Sequence, residues 1–276
     1  MSDPILVYDR YAVVGNPIAH SKSPQIHQAF AKQTQQDISY EAILAPLDGF
    51  AATVHELIAQ GYKGVNVTVP FKFEAFALCD NLSERAFAAG AVNTLTFADG
   101  KINGDNTDGA GLVNDITHNL GKSLQGKSIL LLGAGGAAQG VLLPLLAAQP
   151  ASLTIANRSL EKAHFMLQKI AAQNPVCNIM VSTYNNLQTE FDLIINATST
   201  GLSDTALPIQ DTIFVKNCLA YDMMYGLETP FMRLARINGA QVSDGLGMLV
   251  EQAAEAFYLW RGVRPETAPM IKMMRT

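Results

Sequence analysis

Residues 127–140, KSILLLGAGGAAQG, decide the fold. The run from Ser128 to Leu132 is short and apolar, as suits a strand buried on both faces of a parallel sheet. It stops at glycine. Gly133 and Gly135 remove side chains where the backbone turns tightly and nears a ligand, and Ala138 fills the third position of the G-x-G-x-x-G/A pattern. A helix is expected next, its exposed N–H groups and positive dipole end facing an anion, most often a pyrophosphate. Read alone, the motif also fits a closely packed strand-to-helix turn that binds nothing.

Downstream the chain alternates, with strands expected at 153–156, 179–182, 192–196 and 219–223 and helices at 139–147 and 160–172. Pro144 conflicts with its helix and predicts a kink or tight local compensation. A helix over 229–237 is closed by Asn238-Gly239. The last segment, with an apolar face over 249–260 and a further helix at 270–274, lacks strands and is expected to return to the first domain. Upstream, strands at 11–14, 39–44 and 64–69 alternate with helices that start at Pro24 and at Phe50. Short helices at 73–78 and 84–89, a strand at 92–97 and an Asp99-Gly100 hairpin turn follow. Ser23 is the expected N-cap of the Pro24 helix. The polar segment 103–111, NGDNTDGAG, leads into a helix over 112–120 and marks a domain boundary. The expected architecture is α/β with two domains: a first domain with a mostly parallel sheet, residues 1–109 plus 245–276, and a Rossmann-like dinucleotide-binding domain, residues 110–244.

Composition narrows the function. At 276 residues two domains are expected. Hydrophobic residues at 49% and charged ones at 16% describe a globular chain. A net charge of −5 without clustered Lys and Arg argues against a nucleic-acid partner. No apolar run is long enough for a membrane span and no signal peptide is evident, so the cytosol is expected. Cys79, Cys177 and Cys218 lack metal-ligand or disulfide spacing, which leaves no metal site to propose.

Several polar residues are placed to act. After the second strand of a nicotinamide-binding unit an Asp or Glu usually takes the ribose 2′-hydroxyl. Here Ala156-Asn157-Arg158-Ser159 carries no acid, and Arg158 with Lys162 suits a 2′-phosphate, which points to NADP. The alternative is a pair of solvated cations at a helix start, where cations are unfavourable without an anion. In the first domain, Asn66 and Thr68 share one face of a strand that Pro70 terminates, with Lys72 just beyond. Lys72 suits proton transfer if it lies in a cleft, and is otherwise a solvated surface charge. Asp108 fits both a helix N-cap and a catalytic role. Ser21 and Ser23 can hydrogen-bond a small polyol or carboxylate, and Gln252 sits on an otherwise apolar helix, where a buried amide needs partners. His20 and His27 read as structural or solvated.

With these pieces in order, the chain resembles the shikimate dehydrogenase family from its first strand to its last helices. The resemblance rests on Gly15-Asn16-Pro17, Ser21-Lys22-Ser23-Pro24, NVTVPFK (66–72), GAVNT (90–94) and GDNTDG (104–109). It continues with GAGGAA (133–138), NRS (157–159), NATSTG (196–201), YDMMY (221–225) and DGLGMLVEQA (244–253). It implies reversible NADPH-dependent reduction of 3-dehydroshikimate to shikimate, on the route to chorismate and the aromatic amino acids. Carried over position by position, Lys72 and Asp108 match the catalytic pair. Ser21 and Ser23 match the residues that hold the substrate carboxylate. Thr68, Asn93 and Gln252 match groups that bind its hydroxyls, with Asn66 and Tyr225 in the same site. Gly133, Ala134, Gly135, Gly136, Ala137 and Ala138 match the pyrophosphate loop, and Asn157, Arg158, Ser159 and Lys162 the 2′-phosphate pocket. Thr198, Ser199, Met223, Gly245 and Met248 match the nicotinamide end. Gln139 departs from the family, many of whose members carry arginine there. The resemblance implies a small-molecule substrate and a monomer or homodimer. Two rivals remain: an NAD-preferring quinate/shikimate dehydrogenase, and a ligand sensor that has lost catalysis.

Overall fold

The computed structural model describes residues 8–171, 177–187, 190–200 and 205–276. The chain divides into two compact units, one of Met1–Thr107 with Val250–Thr276 and one of Asp108–Leu249.

In the first unit, β1 (Asp9–Gly15), β2 (Ile38–Leu44) and β3 (Tyr62–Val67) alternate with α1 (Ser23–Thr34) and α2 (Phe50–Ala59). Then come α3 (Lys72–Leu78), β4 (Asn81–Leu82), α4 (Glu84–Ala89), β5 (Thr94–Ala98) and β6 (Lys101–Asp105). The sheet order is β2-β1-β3-β5-β6-β4. Pairing of β5 is antiparallel to both β3 and β6, so β5 alone runs against the other five strands. Asp99 and Gly100, with φ of 53° and 70°, make the expected tight turn between β5 and β6. The sequence reading missed β4 and the length of β6, whose polar Asn103-Gly104-Asp105 looks like loop. Val14, Val54, Val65, Val67, Phe71 and Leu95 lie together in the core on one face of this sheet.

The second unit holds α5 (Asp108–Asn114), which passes into one π turn at Asp115–Asn119, then β7 (Ser128–Leu132), α6 (Gly136–Ala147), β8 (Ser152–Ala156) and α7 (Leu160–Ala171). It continues through β9 (Asn178–Ser182), β10 (Phe191–Asn196), β11 (Phe214–Asp222), α8 (Pro230–Ile237) and β12 (Gln241–Ser243). Helices α9 (Leu246–Arg261) and α10 (Ala268–Arg275) end the chain, which passes back to the first unit at Val250. All six strands are parallel in the order β12-β11-β10-β7-β8-β9. The continuous apolar run of β7 now has its reason: Ile129 and Leu131 pack into the core on one face, Leu130 and Leu132 into the core on the other.

Helix α6 runs through Pro144 from Gly136 to Ala147. At Pro144 the helix meets a close helix crossing. Gly109 on α5 lies so near that an added Cβ would overlap the Pro144 ring and come within 2.6 Å of the Gly140 carbonyl oxygen, the acceptor that Pro144 cannot serve.

Candidate functional site

In the second unit the strand order reverses between β7 and β10, and the crevice beyond the carboxyl ends of such strands is where open α/β sheets bind ligands. A cavity of about 660 Å³ lies there, lined by Gly133 to Ala137, by Asn157, Arg158, Ser159 and Lys162, and by Thr198 and Ser199. Gly133 has φ of 112°, a backbone angle that favours glycine, and its N–H donates to Ala156 O at 2.7 Å. Gly135 is different. Its φ of −89° suits any residue, and a Cβ built on it meets no protein atom within 4 Å. The room beside it is open space on the cavity wall, which packing leaves unfilled. Ala138 is fully buried in the first turn of α6.

The cations stand at the other wall. Asn157 Nδ2 donates to Ser159 O at 2.9 Å and holds the turn that carries Arg158. Arg158 and Lys162 are exposed, and neither makes an ion pair among the described residues. A glycine cradle, a helix N-terminus and two unpaired cations around one cavity fit a dinucleotide with a 2′-phosphate. Tyr184 lines the same cavity, and burial pushes its phenol up while Arg158 draws it down. The sequence offered no signal for Tyr184, which sits in a short turn after β9 outside any motif.

Thr198 and Ser199 follow β10, and Met223 follows β11. Gly245 is packed on the Met223 backbone so closely that a Cβ would overlap the Met223 carbonyl. Met248 is buried in the unit's core, and Tyr225 is 38% exposed with its phenol raised by desolvation. Asp108 is the first residue of α5 and half-buried, inside the helix instead of capping it.

The first unit gathers three of its sequence-marked residues in one buried hydrogen-bond chain. Tyr40 Oη donates to Asn66 Oδ1 at 2.8 Å, and Asn66 Nδ2 donates to Thr94 Oγ1 at 3.0 Å and to Asn93 O at 3.2 Å. Thr94 Oγ1 donates to Asn93 Oδ1 at 2.8 Å, which also accepts from Thr107 N at 2.9 Å. Asn93 Nδ2 donates to Thr107 Oγ1 at 2.9 Å, and Thr107 Oγ1 reaches Gln252 Oε1 at 3.4 Å. The Asn93 carbonyl can only accept and the Thr107 N–H can only donate, so the two asparagine amides have one orientation each. Tyr40, Thr94 and Thr107 are the members that sequence reasoning missed, because a buried hydroxyl becomes a partner only once the strands are paired.

Two local expectations are corrected. Strand β3 ends at Val67, so Thr68 starts a turn in which its carbonyl accepts from Phe71 N at 3.0 Å. Ser23 is the first residue of α1, 9% exposed, and does not cap; its N–H donates to Ser21 Oγ at 3.3 Å. Lys72 opens α3, half-buried, with its carbonyl accepting from Val92 N at 2.9 Å. His27 is fully buried, stacked on Tyr40 at 4.1 Å, and desolvation lowers it to about 3, so the ring is neutral. Asp105, just before Asn106-Thr107, is clasped by Arg85 through Nε at 2.6 Å and Nη2 at 2.9 Å, and Arg85 Nη1 also meets Glu255 at 2.9 Å.

Known proteins match this chain over nearly all of its length. Residues 13–95 match the model of the shikimate dehydrogenase substrate binding domain, 115–205 that of shikimate / quinate 5-dehydrogenase, and 245–275 that of the shikimate 5′-dehydrogenase C-terminal domain. Shikimate dehydrogenase (NADP(+)) of Methylobacillus flagellatus is 59% identical over 97% of this chain and 99% of its own. The crystal structure of an Ael1 enzyme from Pseudomonas putida is 48% identical, with a TM-score of 0.90 over 96% of this chain and 97% of its own. Shikimate 5-dehydrogenase from Thermus thermophilus, solved with NADP(H) and shikimate, is 33% identical, with a TM-score of 0.85 over 97% and 98% of the two chains.

Proposed function

The chain belongs to the shikimate dehydrogenase family, and we infer from this that it catalyses the reversible, NADPH-dependent reduction of 3-dehydroshikimate to shikimate, a step towards chorismate and the aromatic amino acids. One observation carries the cofactor half of this reading: the cavity at the strand-order reversal, with open space at Gly135 and the unpaired cations Arg158 and Lys162 on its wall. In this reading the second unit holds the cofactor and the first holds the substrate.

Bound NADPH supplies the hydride that goes to the ketone carbon. The residues at 133–138 cradle the pyrophosphate, Arg158 and Lys162 take the 2′-phosphate with Asn157 and Ser159 shaping their turn, and Thr198, Ser199, Met223, Gly245 and Met248 border the nicotinamide. Ser21 and Ser23 hold the substrate carboxylate, and Thr68, Asn93 and Gln252 its hydroxyls; the family resemblance assigns Tyr225 to the same substrate. Asn66 serves that site by orienting Asn93 through Thr94. As the carbonyl's π pair becomes an alkoxide, one proton goes to that oxygen, and in the reverse direction leaves it, through Lys72 and Asp108, the two residues that the resemblance marks as catalytic. Among the described residues no helix is long and apolar enough to cross a membrane, and we place the enzyme in the cytosol, as a monomer or homodimer.

The test is a matrix of rates at 340 nm, with shikimate or quinate as substrate and NADP or NAD as cofactor. Turnover with shikimate and NADP well above the other three combinations is expected. Preference for quinate with NAD, or no turnover with any pair, would overturn the reading in favour of the catabolic enzyme or the sensor.

A further inference from the structure

Asp222, the last residue of β11, is fully buried, and none of the roles above uses its carboxylate. Oδ2 accepts from Asn196 Nδ2 at 3.0 Å and from Thr229 Oγ1 at 2.6 Å, and Oδ1 accepts from Met224 N at 2.9 Å. The three donors belong to three segments at the carboxyl end of the sheet. Asn196 ends β10, Met224 is in the turn after β11, and Thr229 caps α8 by accepting from Met232 N at 3.2 Å. Asn196 and Thr229 are themselves fully buried.

From these donors the contacts run on to the cofactor cavity. Asn196 Oδ1 accepts from Thr198 N at 3.1 Å and Thr198 Oγ1 at 2.7 Å, and Thr198 lines the cavity. Met224 O accepts from Gly245 N at 2.8 Å, and Met223 N donates to Asn196 O at 3.0 Å. Thr198, Met223 and Gly245 are thus all tied to one carboxylate.

We propose that Asp222 is a positioning residue for the nicotinamide end of the cofactor site, setting Thr198, Met223 and Gly245 without touching the cofactor. The proposal rests on the NADP reading of the cavity. A carboxylate is required because the partners of Asp222 are all donors. An amide there would turn its NH2 onto Asn196 Nδ2 or onto the Met224 N–H, and Asn196 cannot rotate to meet it without presenting its own NH2 to the Thr198 N–H.

The experiment measures binding to the full chain of two ligands, NADP and 2′-phospho-ADP-ribose, which keeps the pyrophosphate and 2′-phosphate but lacks the nicotinamide. In Asp222→Asn the dissociation constant for NADP is expected to rise about tenfold or more, because Thr198, Met223 and Gly245 lose the contacts that set them. That for 2′-phospho-ADP-ribose should stay within about twofold of the parent. The exchange Asn196→Asp with Asp222→Asn restores a donor facing an acceptor and should recover most of the NADP affinity. Thr229→Val, which takes one donor from the carboxylate at a residue outside the cavity lining, should reproduce the same split in part and serves if Asp222→Asn does not fold. Unchanged NADP affinity in the variants, or an equal loss for both ligands, overturns the proposal, since a merely structural role would weaken both together. If the parent protein itself binds neither ligand, the reading of the cavity fails first and the proposal with it.

Discussion

Tyr221 donates its hydroxyl to Asp115 Oδ2 at 2.6 Å across 106 positions of sequence. Asp115 is 2% exposed, its other oxygen accepts from Asn119 Nδ2 at 2.9 Å, and Gly247 at the start of α9 has no side chain because a Cβ would overlap the carboxylate. Burial, followed by the Asp115 charge, pushes the Tyr221 phenol well above its usual value. Tyr221→Phe removes a donor from a buried acid, which costs about 1 to 3 kcal/mol. By calorimetry the melting transition of the second unit should fall by roughly 3 to 10 °C. A change under about 1 °C would show that Asp115 draws no stability from this bond.

Gly135 separates folding from binding. Because a Cβ there meets no protein atom and its φ is ordinary, Gly135→Ala should melt with the parent. Its affinity for NADP should fall about tenfold or more, since the methyl occupies the space where the pyrophosphate approaches the backbone. A lowered melting temperature with unchanged affinity would assign the glycine to folding instead.

Arg158→Asp places a carboxylate where a 2′-phosphate is expected. The KM for NADPH should rise by about a hundredfold while that for NADH moves little, as a charge-assisted contact worth roughly 1.5 to 3 kcal/mol is replaced by repulsion. Equal responses of the two cofactors would remove Arg158 from the phosphate site.

Lys72→Ala should lower kcat by about 10² to 10⁴, the usual share of a positioned acid–base group, and leave the dissociation constant for NADP at its parent value. Turnover near the parent level takes Lys72 out of the mechanism.

The clasp on Asp105 predicts an acid limb in stability. Burial alone pushes this carboxyl up, but the Arg85 guanidinium, the Ser83 hydroxyl and the Asn106 N–H outweigh it and hold it below the usual carboxylate range. A folded-state value below the unfolded one means that the contribution is complete above about pH 4 and is lost as pH falls through the folded value. Asp105→Asn should therefore be less stable than the parent at pH 7, by about 2 to 3 kcal/mol, because a partly buried pair is broken while Glu255 stays with Arg85. Below about pH 4 the two melting curves should converge. Parallel curves across that range would mean that Asp105 is not the titrating group.

Much of the fold was legible because its signals are local. The β7 run, the glycine turn and the alternation of strands with helices each express themselves within a few tens of residues, and the missing acid after β8 can be read beside Arg158. Less legible were features that depend on which strands pair. Nothing in 94–98 says that β5 alone runs against its sheet, and the polar 103–105 reads as loop until β6 finds β5.

The chemistry divides in the same way. Lys72, Asp108, Gln252, Arg158 and the glycine loop could be marked as candidates from short stretches of their own, and Asn93 through the family resemblance. Only the folded units decided that Tyr40, Thr94 and Thr107 link Asn66 to Gln252, that Arg85 clasps Asp105, and that Asp222 gathers donors from three segments. A buried polar group must find a partner, but which partner it finds is set by strand order and register, and these bring together residues that sequence holds far apart.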